Sequence, residues 1–164
     1  GRAILTPHTG EAAHILDVSS EELAINRFES ARNISQKYAQ TVLLKGPFSI
    51  IAQSGMDLAV NPAGNPILAS AGTGDVLTGM AGAYFAMSND PFSSLVVASF
   101  LHGVAADLLV ENFPGYMGAL ASEIADEIPR ARKKVVDDLV NLYLDEELDD
   151  EFSEEDDEFE EMDN

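Results

Sequence analysis

No cysteine and no tryptophan occur among the 164 residues, and basic side chains number 9 against 29 acidic ones. The first absence excludes disulfides, thiolate zinc sites and cysteine nucleophiles together. The scarcity of Lys and Arg leaves a formal charge of −20, which excludes nucleic-acid binding through a basic face. Long apolar runs are missing too: Leu95 to Leu101, broken by Ser99, is the longest and falls far short of a membrane span. No basic-then-apolar leader precedes the first motif, so a soluble, cytoplasmic protein with no membrane partner is expected. The first residue is Gly1 rather than Met, and the chain is therefore expected to begin inside a longer reading frame.

The charge is unevenly spread. Residues 145–164 hold 14 acids and no base, leaving 15 acids against 9 bases in residues 1–144. A run such as Glu154-Glu155-Asp156-Asp157-Glu158 repels itself and has too little apolar surface to offset ordering entropy. The expectation is one folded domain over 1–146 and a disordered acidic tail over 147–164.

Within the body, Ala3–Thr6 reads as a short buried strand that ends in the loop Thr6-Pro7-His8-Thr9-Gly10. Helical spacing follows over 10–16, then over 21–39 through Leu23, Ala24, Phe28, Ala31, Ile34 and Tyr38. The run Thr41–Leu44 predicts a buried strand that stops at Lys45-Gly46-Pro47. Ser49–Ala52 and Leu58–Val60 predict an antiparallel pair on the flank of a parallel sheet. Turn formers fill Asn61–Pro66. Helices are predicted from about Asp75 to Met87, from Pro91 to Asn112, and over 119–144 with Pro129 dividing the last. Strand–helix alternation followed by helices makes the fold class α/β.

The segment most suggestive of chemistry is Ala71-Gly72-Thr73-Gly74-Asp75-Val76-Leu77. Two glycines just ahead of a helix leave backbone N–H groups uncovered, and with the helix dipole they make a cradle for phosphate oxygens. The dipole favours the carboxylate form of Asp75 in the first turn, able to accept a proton, while a bound polyphosphate would push its pKa back upward. Taken alone, the same string serves equally as a turn with a helix cap. Lys45 alone reads as an exposed strand-end lysine, and His8 as a loop histidine. Glu11 reads as a first-turn acid or a functional group. His102 and Asp107, on a mostly apolar helix, read as structural.

The longer string Asn61–Gly79 closely resembles the signature of the NAD(P)H-hydrate dehydratases, a branch of the ribokinase-like superfamily often called the YjeF carbohydrate-kinase domain. Leu5–Ala12, Val42–Ile51 and Leu101–Asp107 resemble further segments of that family, in its order, across about residues 3–110. The resemblance implies a ribokinase-like sheet with flanking helices that lacks its amino-terminal portion. It implies a metabolite-repair lyase that dehydrates hydrated NADH or NADPH, using ADP or ATP with Mg2+ carried by the nucleotide. Asp75 would be the base touching the substrate hydroxyl, and His8 a contact to the hydrated cofactor. Gly72, Thr73 and Gly74 would form the anion hole, and Lys45, Gly46, Pro47, Phe48 and Ser49 the adenine-nucleotide segment. No protein metal site is expected; a homo-oligomer is. Two other readings stay open: a small-molecule kinase of the same superfamily, and a truncated non-catalytic domain.

Overall fold

The computed structural model describes residues 3–112, 115 and 118–160, those from 144 onward by backbone alone. Four strands make one sheet in the order β1 (Ile4–Leu5), β2 (Thr41–Leu44), β3 (Ile50–Ala52), β4 (Ala59–Val60). β1 runs parallel to β2, whereas β2–β3 and β3–β4 are antiparallel, so the expected antiparallel pair does flank a parallel one.

Strand periodicity divides the core. In β2, Val42 and Leu44 face one side while Leu43 faces the other, and β3 alternates likewise. Val42, Leu44, Ile50 and Ala52 pack with residues of α1 (Thr9–Leu16), α2 (Ser20–Ile25) and α3 (Arg27–Tyr38). Leu43 and Ile51 pack with Leu77 and Ala81 of α4 (Thr73–Ser88) and with Leu95 and Ala98 of α5 (Pro91–Asn112). The result is a sheet between two helical layers.

Three expectations change in detail. The helix over 21–39 is two helices, because Asn26 ends α2 by donating from Nδ2 to the Glu22 carbonyl at 3.3 Å. The apolar spacing runs through that break unaltered, so periodicity did not reveal it. The turn-rich stretch after Asn61 contains a 3₁₀ turn, Pro66–Ala69, capped by the Asn65 side chain. Counting uninterrupted apolar residues also understated α5. By length and composition this 22-residue helix is apolar enough to cross a membrane, with a mean hydropathy of 1.7 over its best window. Its serines and His102 break the run without ending the helix, and 61% of that window is buried inside the protein.

The last helix, α6 (Ala121–Glu160), contains Pro129. The chain divides there into two compact units, Gly1–Ile128 and Pro129–Asn164. The side chains of the expected acidic tail lie outside the described residues, as do residues 161–164 entirely.

Candidate functional site

The loops that leave β1 and β2 at their carboxyl ends lie side by side, where α/β sheets place their ligands. The Lys45 amide donates to the Pro7 carbonyl at 2.8 Å and ties the two together. A cavity of about 820 Å³ opens there, within the range of small-molecule sites. Its wall includes His8 from the first loop and all of Lys45 to Ser49 from the second. Asn61 to Pro66 form a third side, and Thr73 and Gly74 a fourth. Of the candidate residues, Gly72 and Asp75 are outside this wall.

At the fourth side, Gly72 caps α4 in the left-handed region at φ 87°, a conformation that a side chain would strain. Among the described residues, neither the Gly72 nor the Gly74 amide has a hydrogen-bond acceptor. The Asp75 amide is already bonded to the Gly72 carbonyl at 3.0 Å. Thr73 is turned inward: its hydroxyl donates to the carbonyls of Leu68 and Ser70 at 2.7 and 2.9 Å. The open cradle is therefore narrower than the motif suggested, and Gly74 is its member on the cavity.

The Lys45 side chain reaches that same point. Its ammonium would stand 3.2 Å from a Cβ built on Gly74, so only glycine leaves it undisturbed. Among the described residues Lys45 has no ion-pair partner. A free ammonium and the positive end of a 16-residue helix converge on one spot, which attracts an oxyanion. Asp75, the next residue, is exposed to solvent. Thr78 lies one turn further along the same face of α4, 3.0 Å from the Thr6 hydroxyl.

The loop from Lys45 to Ser49 has an unusual backbone. Gly46 has φ 147° and Phe48 has φ 51°, while the Phe48 ring is 68% exposed. Arg27, at the start of α3, donates to the Pro47 carbonyl and braces this loop from behind. Burial lowers the Arg27 pKa from its usual value.

His8 has a local task. Its Nδ1 accepts from the amides of Gly10 and Glu11 at 3.1 and 3.2 Å, and the Glu11 carboxylate accepts from the His8 amide at 2.7 Å. This reciprocal pair is a capping box with histidine in the place of serine. The accepting role leaves Nε2 as the nitrogen that carries the ring proton. His8 thus lines the cavity while holding the start of α1.

His102 is the buried titratable side chain of the wall, 4% exposed. Desolvation pushes its pKa down to about 4, only partly offset by a hydrogen bond to the Thr73 backbone. The ring is neutral at physiological pH, and Nε2 has no partner. The roles of Arg27 and His102 rest on contacts between distant segments, which motif reading did not supply. Thr73, a candidate residue, directs its hydroxyl to its near neighbours Leu68 and Ser70 instead.

A layered α/β domain with a glycine-capped helix at the carboxyl ends of its parallel strands is of the ribokinase-like class. A ribokinase-like superfamily protein of Enterococcus faecalis superposes with a TM-score of 0.66 at 26% identity, over 80% of this chain and 44% of its own. The chain belongs to the carbohydrate-kinase family described as NAD(P)H-hydrate dehydratase, whose profile matches residues 1–130. The ADP-dependent (S)-NAD(P)H-hydrate dehydratase of Neisseria meningitidis is 39% identical over 79% of this chain and 43% of its own length. The ADP/ATP-dependent dehydratase of Bacillus subtilis, co-crystallised with ATP and Mg2+, superposes with a TM-score of 0.75 at 37% identity. That match covers 80% of this chain and 48% of the other. The chain thus spans about half the length of the relatives it matches.

Proposed function

We propose that this chain takes part in the ADP- or ATP-dependent dehydration of hydrated NADH or NADPH, returning the intact reduced cofactor. The observation that carries this reading is the convergence of the Lys45 ammonium and the α4 N-terminus on Gly74, inside a cavity of nucleotide size. Family membership supplies the substrate class.

In this reading the nucleotide lies along Lys45–Ser49 and its terminal phosphate meets the Gly74 amide and Lys45. Charge that builds on the migrating phosphoryl group is stabilised by these fixed donors, which need no rearrangement as the reaction proceeds. Asp75 stands on the solvent side of the same helix turn. Its carboxylate takes the proton from the ring hydroxyl of the hydrated cofactor as that oxygen forms its bond to phosphorus. The donor's terminal phosphoanhydride bond breaks in the same step and releases the shortened nucleotide. The ring C–O bond then breaks and phosphate leaves with the oxygen. The neighbouring ring carbon gives up a proton to the departing phosphate or to water as the nicotinamide double bond is restored. Donor and acceptor would approach the helix terminus from different sides, which suits an in-line transfer. Among the described residues no three His, Asp or Glu side chains gather to hold a metal ion. Magnesium would accordingly be held by the nucleotide oxygens and shield their charge.

The test is recovery of the near-ultraviolet absorbance of the reduced nicotinamide, with the chain, hydrated NADPH and ADP or ATP. Asp75→Asn should lose at least about a hundredfold in turnover while nucleotide affinity stays within about twofold. Lys45→Ala should weaken nucleotide binding by about tenfold. Full turnover in Asp75→Asn would remove Asp75 from the role of base. Equal nucleotide affinity in Lys45→Ala would remove Lys45 from the site.

A further inference from the structure

The third wall of the cavity, Asn61–Pro66, is fastened to α5 at three levels spaced one turn apart. Asn61 donates from Nδ2 to the Ser99 carbonyl at 2.9 Å. Four residues on, Gly103 lies so close to the loop that a Cβ built on it would stand 2.6 Å from the Ala63 carbonyl carbon and oxygen. Four further on, both oxygens of Asp107 are engaged: Oδ2 accepts from the Gly64 amide at 3.0 Å and Oδ1 from Asn65 Nδ2 at 2.9 Å.

Asn65 passes this anchorage along. Its Oδ1 accepts from the Ile67 amide at 3.1 Å and caps the 3₁₀ turn. That turn supplies the Leu68 carbonyl, and Ser70 just after it a second carbonyl, to the Thr73 hydroxyl. Thr73 is the first residue of α4 and Gly74 follows it. A continuous series of hydrogen bonds therefore joins a carboxylate on α5 to the amide cradle at the cavity.

We propose that Asp107 is a positioning residue for nucleotide phosphates, aiming the Gly74 amide through Asn65 and the 3₁₀ turn. The ligand part of this inference rests on the nucleotide reading above; the mechanical part does not. With asparagine at position 65, only an acceptor with two free oxygens serves at position 107, because both facing groups are then N–H donors. A carboxamide at position 107 would turn an N–H toward another N–H. A carboxylate at position 65 would face the Asp107 carboxylate. Exchanging the two side chains restores every bond. The carboxylate, moved to position 65, caps Ile67 and accepts from the carboxamide NH2 at position 107, whose oxygen accepts from the Gly64 amide.

The experiment compares the full chain with Asp107→Asn, Asn65→Asp and the double exchange, measuring ADP and adenosine affinity by calorimetry and amide hydrogen exchange by NMR. Each single variant should weaken ADP binding by about tenfold, leave adenosine within about twofold, and quicken exchange at Thr73, Asp75 and Val76. The double exchange should return both readings to those of the parent. Ile34→Val, a core variant with its own loss of melting temperature, should change neither. The proposal is overturned by parental ADP affinity and exchange in the single variants, by failure of the double exchange, or by an equal effect of Ile34→Val. Quickened exchange together with no ADP binding by the parent chain would uphold the mechanical role and overturn the nucleotide reading instead.

Discussion

His102 shows how one side chain can couple burial to pH. Its pKa in the folded chain is about 4 against a usual 6.5, so between these values the unfolded chain takes up a proton that the folded one refuses. Stability should therefore fall as pH drops from 6.5 toward 4, by about 3 kcal/mol in all, and level off below. Melting temperatures over that range should slope for the parent and flatten for His102→Gln. Gly46 is constrained differently. At φ 147° it needs the freedom of glycine, and a Cβ there would stand 2.9 Å from the Arg27 guanidinium. Gly46→Ala should cost about 1–3 kcal/mol in denaturant unfolding and weaken nucleotide binding with it. The Gly72–Gly74 string stood out locally, as glycines at a helix start, whereas Lys45 alone read as an exposed strand-end lysine and was singled out only by the family resemblance. Sequence read His102 and Asp107 as structural, and Asp107 does fasten a loop. What that loop holds became visible only when Gly64 and Asn65, some forty positions away, came to lie against it.

Among the elements, α1 separates two tasks that meet in one residue. His8 caps the helix through Nδ1, and its Nε2 stands 3.4 Å from Glu11 Oε1, so the same side chain holds the helix start and lines the cavity. His8→Asn keeps a capping oxygen and should hold stability within about 0.5 kcal/mol, whereas His8→Ala should lose about 1 kcal/mol. If His8 also contacts the hydrated cofactor, both variants lose affinity for it, and paired unfolding and binding measurements separate the tasks. Elements with strong local signals were legible: β2, the paired β3 and β4, and α4 behind its glycines. Asn26 was not, since a break made by one hydrogen bond to Glu22 leaves the apolar spacing intact. The bounds of α5, Pro91 to Asn112, were legible; only its apolar character over a full membrane-span length was understated, because small polar residues interrupt a run of letters without interrupting the backbone.

Across the whole molecule, β2 is the strand both layers share. Leu43 is fully buried and turned toward α4 and α5, while its neighbours Val42 and Leu44 serve the opposite layer. Leu43→Ala should cost about 2–5 kcal/mol, seen as a lower denaturant midpoint, and should loosen the layer that carries the cradle. The class of fold followed from alternating strands and helices, but the division of β2 between two cores needed the packing itself. Gly103 extends this to mutational tolerance. It meets the Ala63 main chain, which has no flexible end to yield, so even alanine would push the Asn61–Pro66 segment off α5. In a saturation screen scored by nucleotide binding, Gly103 would rank with the cavity residues although it is no part of the cavity wall, and an alanine-scan map of this fold would draw the candidate site one helix too deep.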